Sequence, residues 1–188
     1  RQRQMCIRDR AVLVLEGQFP SNLLAWQQRC AQAGAHVVGA APRADETLTA
    51  AVLRTIDHTP ELAIAALPHC YWHDGRLLDL DAIADAVHAR GAALVLDLSQ
   101  SLGVLPLQLA RWRPDFVVAV GYKWLLGTMG LAWLWASPRW RDEGVPLEQH
   151  WVARDAGADW VFPLDTPPPY LPGCLLYTSD AADDLLCV

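Results

Sequence analysis

Lys123 is the only lysine in this 188-residue sequence, and every other strongly basic residue is an arginine. A guanidinium stays protonated in proteins, whereas a buried amine can lose its proton and attack a carbonyl. The exception therefore points to chemistry that arginine cannot do, against the simpler reading of a surface lysine in an arginine-rich composition. Lys123 follows an apolar run, Phe116–Val120, and sits in Gly121-Tyr122-Lys123-Trp124. Asp97 closes a second apolar run, Ala93–Leu96. A carboxylate there is costly to bury without a partner. One reading makes it a cap for the turn that follows, and the other a counter-ion for a cationic ring nitrogen.

Other constellations carry less. His69, Cys70, His73 and Asp74 crowd into one extended stretch and lack the separated ligands of a zinc site. Ser99 and Ser101 lie near Asp97 without a G-x-S-x-G elbow. Gly121, Gly127 and Gly130 match neither a Walker loop nor G-x-G-x-x-G. Trp133 and Trp135 fit a buried strand better than a stacking platform for nucleic acid.

Positioning Asp97 and Lys123 falls to alternating short apolar runs and longer helical periods. Strands are expected at Ala11–Leu15, His36–Gly39, Leu62–Ala66, Ala93–Leu96, Phe116–Val120 and Leu131–Trp135. Helices are expected at Asn22–Ala33, ending at Gly34, at Thr47–Ile56, and from Asp79-Leu80-Asp81 to Gly91. Ser137-Pro138 opens a further short helix. Apolar strands without polar alternation, interleaved with helices, predict an α/β fold: a mostly parallel sheet covered by helices on both faces. Ligands in such sheets bind beyond the carboxyl ends of the strands, where both Asp97 and Lys123 fall.

A lysine and an aspartate on neighbouring strand ends are what a pyridoxal phosphate (PLP) site needs. The lysine binds the cofactor, and the aspartate keeps its ring nitrogen protonated so that the ring accepts electrons. At an effective dielectric of about 20, unit charges about 4 Å apart interact by about 4 kcal/mol, which is ample for that task.

Composition narrows the classes. The formal charge of −6 argues against a nucleic-acid partner, and no apolar run reaches membrane-spanning length. With 53% hydrophobic residues and nine tryptophans the chain can bury a sizeable core. The five cysteines form no C-x-x-C pair, so a reducing cytoplasm is expected. Residues 1–10 and 174–188 break the pattern and resemble translated sequencing-adapter read-through. Both are expected to be non-native tails on a partial large domain spanning 11–173. The proline-rich stretch Pro163–Gly173 reads as a loop or linker.

The segment from Leu94 to Gly130 resembles the cofactor core of the class V aminotransferases. This family of fold-type I PLP enzymes includes kynureninases, isopenicillin N epimerase-like proteins and cysteine desulfurases. Its pattern is an aspartate, Gln or His three residues on, and about twenty residues later an aromatic-or-His–Lys pair. Here these are Asp97, Gln100 and Tyr122-Lys123. Phe19-Pro20-Ser21-Asn22 is similar to a kynureninase-like FPS segment, Pro68–Gly75 to the segment before the aspartate-bearing strand, and Pro146–Arg154 to one after the lysine.

The resemblance implies that Lys123 is the Schiff-base lysine and proton shuttle, and that Asp97 pairs with the pyridinium. Gln100 would hydrogen-bond near the ring hydroxyl, and Tyr122 would reach the phosphate. Phe19 would stack on the ring where desulfurases have histidine, and Trp72 would line the pocket; for these two, core packing is the competing reading. A small-molecule amino acid substrate and a homodimer are implied as well. The reaction would be transamination, elimination or epimerisation, with a lean to the kynureninase and epimerase side. The family's phosphate-binding turn would precede residue 11, and its carboxylate-binding arginine would follow Gly173. The alternative is an inactive fragment, or a degenerate α/β binding module that kept the fold.

Overall fold

The computed structural model describes residues 9–144. Six strands form one sheet: β1 (Ala11–Leu15), β2 (His36–Ala40), β3 (Leu62–Pro68), β4 (Ala93–Asp97), β5 (Phe116–Val120) and β6 (Ala132–Ala136). Five helices connect or follow them: α1 (Pro20–Ala33), α2 (Leu48–Asp57), α3 (Leu80–Ala89), α4 (Leu109–Trp112) and α5 (Pro138–Glu143). The strand order is β2-β1-β3-β4-β5-β6, parallel from β2 through β5, with β6 antiparallel to β5. The chain passes from β1 to β2 on one side and then crosses back over β1 to β3 on the other, so the order reverses between β1 and β3. In open α/β sheets a crevice forms at such a point, outside the carboxyl ends of the strands.

Alternation along β1 divides the core. Leu13 and Leu15 join a cluster with Val52 and Ile56 of α2 and Ile83 and Val87 of α3. Val12 and Val14 face the other way, against Cys30, Leu23 and Trp26 of α1. All five β1 residues are buried, which explains why the strand shows no polar alternation. Each fully buried aliphatic side chain of this kind contributes about 1.5–3 kcal/mol.

The helix termini follow local chemistry. Pro20 takes the first position of α1, where its missing N–H costs nothing, and Gly34 ends that helix at φ 68. Thr47 caps α2 by accepting from the Ala50 N–H at 3.1 Å. Asp79 caps α3 by accepting from the Asp81 and Ala82 N–H groups.

Each strand and each of the four helices read from the sequence is present, with ends shifted by a residue or two. α4 is an addition, a single turn too short to leave a periodic signal. The tryptophan pair needs correction. Trp135 packs against the core, but Trp133 on the edge strand β6 remains 43% exposed. Two residues assigned to the N-terminal tail join the fold: the Asp9 N–H donates to the Gly34 carbonyl, and the Arg10 guanidinium donates to the carbonyls of Glu61 and Leu62. The Pro146–Arg154 and Pro163–Gly173 segments and the tail at 174–188 lie outside the described residues. No helix among the described residues is long and apolar enough to cross a membrane.

Candidate active site

Four parallel strands deliver the expected site residues to one edge of the sheet. β1 leads into Phe19, β3 into the loop carrying Trp72, β4 ends on Asp97, and β5 ends just before Tyr122-Lys123.

Asp97 is half-buried and held from two sides. Its Oδ1 accepts the Ser99 backbone N–H at 3.0 Å, the turn cap that its position suggested. Its Oδ2 accepts the Asn22 side-chain amide at 3.3 Å. Asn22 lies in the first turn of α1, which has no acidic residue of its own. Both donors are neutral, and among the described residues Asp97 has no cationic partner within 4.0 Å. Several other carboxylates of the fold do have arginine partners. Hydrogen bonds from Arg54 and from the Arg43 N–H hold Glu46 at about 2, and hydrogen bonding to Arg76 and to Arg111 likewise depresses Asp74 and Asp85. Asp97 thus has free lone pairs and, among the described residues, no counter-ion within 4.0 Å.

Lys123 starts a tight turn closed by the Leu126 N–H on the Lys123 carbonyl and the Gly127 N–H on the Gly121 carbonyl. Its Nζ lies 5.6 Å from the centroid of the Phe19 ring, within cation–π range. Phe19 meets Trp72 edge to face, with centroids 5.6 Å apart and planes at 84°. Both rings are more than two-fifths exposed, at 43% and 42%. Core packing is therefore not their role, and they form an open aromatic wall beside the lysine. Trp72 is fixed by its indole N–H, which donates to the Gly17 carbonyl at 2.8 Å. The Tyr71 hydroxyl donates towards the Glu16 and Gly17 carbonyls.

Tyr122 sits beside Lys123 and is 40% exposed. Gln100 is half-buried in the turn after Asp97, and its side chain makes no hydrogen bond among the described residues. The structure thus brings Phe19 against both Trp72 and Lys123, and places Asp97, Gln100 and Tyr122 on or just past adjoining strand ends. Sequence reasoning missed the roles of Asn22, Tyr71 and Ser99, whose Oγ accepts the Val120 N–H and ties β4 to β5. Asn22 stood within the quoted FPSN segment, but nothing in the sequence indicated that it would meet Asp97, 75 positions away.

The crowded His/Cys stretch resolves into separate contacts. His69 packs against Trp112, and burial lowers its pKa. Asp74 pairs with Arg76. Burial, assisted by the Asp74 carboxylate, pushes the Cys70 thiol up, away from the thiolate form a nucleophile needs.

The model of the aminotransferase class V family matches residues 2–149, more than half of the sequence. The chain belongs to the class V aminotransferase family. It is 28% identical over 151 residues to the uncharacterized aminotransferase YcbU of Bacillus subtilis, covering 80% of this chain and 40% of that protein. It is 34% identical over 157 residues to kynureninase of Eremothecium gossypii, covering 78% of this chain and 35% of that one. The chain thus spans well under half the length of these two relatives. Among solved structures, a cystine C-S lyase in complex with its product cysteine persulfide superimposes with a TM-score of 0.73 at 24% identity, over 88% of this chain and 44% of that one. At that identity the likeness concerns the fold, that of the fold-type I PLP enzymes.

The donor set at the strand ends fits the family's cofactor. A cationic aromatic ring nitrogen matches a carboxylate whose existing partners are all neutral. A flat ring matches an exposed aromatic wall, and an aldehyde matches the single primary side-chain amine beside it.

Proposed function

We propose that the protein acts on an amino acid with PLP as cofactor, using Lys123 and Asp97. The observation that carries this reading is the uncompensated Asp97 carboxylate, held by two neutral donors on the strand next to the one that delivers Lys123. When bound, PLP supplies an aldehyde carbon that takes up amines and a protonated ring that draws electrons from the substrate's α-carbon. Asp97 keeps the ring nitrogen protonated. Lys123 would hold the cofactor through its Nζ and would move a proton at the substrate α-carbon. Phe19 would stack on the ring, and Trp72, set edge to face against Phe19, would line the pocket beside it. Gln100 orients the ring hydroxyl, and the Tyr122 hydroxyl binds the phosphate.

The kynureninases among its relatives, together with Phe19 in the FPSN segment, support a reaction on the kynureninase or epimerase side of the family. Elimination and epimerisation both begin with loss of the α-proton, as transamination does. The whole protein is proposed to be a homodimer, as the family resemblance implies. The free thiols of Cys30 and Cys70 suit a reducing cytoplasm.

The test uses the uniqueness of Lys123. The chain is mixed with PLP, reduced with borohydride and mapped by mass spectrometry. The label should fall on the Lys123 peptide, because the α-amino group is the only other primary amine in the sequence. A Lys123→Ala protein labelled to the same extent, or labelling confined to the N-terminus, overturns the assignment.

A further inference from the structure

Trp26, a residue with no expected contact to cofactor or substrate, reaches Asp97 through one intermediary. Its indole N–H donates to Asn22 Oδ1 at 3.1 Å, and Asn22 Nδ2 donates to Asp97 Oδ2 at 3.3 Å. The two residues are four apart on α1, so they stack on one helix face. We propose that Trp26 and Asn22 are positioning residues that form a directional relay. The indole fixes which end of the Asn22 amide faces Asp97, and the amide fixes the carboxylate.

The direction follows from donor and acceptor inventories. An indole N–H can only donate, so it selects the amide oxygen. An ionised carboxylate can only accept, so it selects the amide nitrogen. A flipped amide would face donor with donor and acceptor with acceptor, breaking both bonds at once. Without Trp26 the amide loses one of the two restraints that set its orientation. Trp26 is itself held: it is half-buried and packs against the cluster containing Val12, Val14 and Cys30. The relay therefore anchors a group at the sheet edge to the packed interface between α1 and the sheet.

The arrangement also sets which lone pairs remain free. Each carboxylate oxygen accepts one neutral donor, Ser99 N–H on Oδ1 and the Asn22 amide on Oδ2. The carboxylate is thus held at both oxygens with no cation among the described residues brought within 4.0 Å of it. Substituting Asn22 with a cationic residue would also hold the carboxylate but would neutralise it.

The inference rests on the PLP reading only for one of its two readouts. The first is PLP affinity, measured by absorbance titration of the full chain, with far-UV circular dichroism as the folding control. Asn22→Ala should weaken PLP binding about ten- to a hundredfold, the value of one hydrogen bond to a charged group. Trp26→Phe should weaken it several-fold in the native background and have no further effect on top of Asn22→Ala. A general packing role for Trp26 would give additive losses instead, and additivity overturns the relay.

The second readout uses the same chain without PLP. In 15N-edited NMR the Asn22 amide proton that faces Asp97 should lie downfield and move upfield in both Asp97→Ala and Trp26→Phe. If that proton responds while the native chain binds no PLP, the cofactor reading falls and the relay stands. If PLP binds and the proton is unmoved in both variants, the relay falls and the cofactor reading stands.

Discussion

Gly103 offers a quantitative test of how the Lys123 turn is held. It lies in the loop after β4 at φ +96, and its α-carbon faces the backbone of the turn that carries Lys123. A Cβ added there would stand 2.7 Å from the Trp124 carbonyl oxygen, 3.1 Å from its carbonyl carbon and 3.2 Å from Leu125 Cδ2. The nearest atoms are backbone, so a side-chain rotation cannot relieve the contact. Gly103→Ala therefore has two costs. Holding an L-residue in that conformation costs about 1–3 kcal/mol, and crowding of a packed contact costs about another 1–3 kcal/mol.

Gly75 separates the two. It also has positive φ, +77, but nothing lies within 4 Å of its would-be Cβ. Gly75→Ala bears the backbone cost alone. With about 2–4 °C of Tm per kcal/mol for a domain of this size, Gly103→Ala should melt about 2–12 °C below Gly75→Ala in far-UV circular dichroism. Where relief of the contact displaces Trp124, the residue after Lys123, PLP affinity should also fall in Gly103→Ala. Equal melting of the two variants would refute the crowding argument. A lower Tm with unchanged PLP affinity would refute the link between Gly103 and the position of Lys123.

Two further perturbations address the fold beneath the site. Asp115 Oδ2 accepts the N–H of fully buried Leu94, and its Oδ1 accepts the Trp140 indole N–H at 2.6 Å, joining β4 to α5. Asp115→Ala leaves the Leu94 N–H without that acceptor and should lower stability by about 1–3 kcal/mol, read as the urea midpoint at constant m-value; a midpoint equal to the native one would remove this tie from the account. Glu46 is held at about 2 against an ordinary 4.5 by hydrogen bonds from Arg54 and the Arg43 N–H. Its folded form resists protonation, so between those values the unfolded chain binds more protons and stability falls as pH drops from 4.5 towards 2. Tm of the native chain should decline more steeply over that window than Tm of Glu46→Gln, and parallel slopes would show that the pair contributes no pH dependence.

The sequence carried the sheet almost whole because its signals are local. Five consecutive apolar residues in β1, bounded by polar residues, leave only a strand buried on both faces. Thr47 and Asp79 mark helix starts through side-chain oxygens that reach their own backbone. The positions of Asp97 and Lys123 follow from the same signals, since Asp97 closes one recognisable strand and Lys123 lies three residues past another. The supporting contacts do not. Asn22 meets Asp97 across 75 positions, and Trp72 meets Gly17 across 55. Such pairs depend on how far each loop travels beyond its strand, which propensity and periodicity do not encode. Trp133 fails for a related reason: alternation places it on the face of Trp135, but an edge strand is covered only along part of its length.

Sheet hydrogen bonds fix the strands, but the residues proposed for chemistry lie on or just past their ends, where that ladder stops. The structure supplies a tie at each step. Trp72 and Tyr71 join the end of β3 to the segment after β1. Ser99 joins the turn after β4 to the end of β5. Asn22 spans from α1 to Asp97. Every donor in these ties is an indole, a phenol, an amide or a backbone N–H. A guanidinium would hold Asp97 more strongly, as Arg54 holds Glu46, but it would neutralise the charge and occupy both carboxylate oxygens. Neutral ties give less energy per contact, about 0.5–1.5 kcal/mol for each ordinary hydrogen bond. They leave the Asp97 charge unspent, and that charge is what a cationic ring would need to find at this edge.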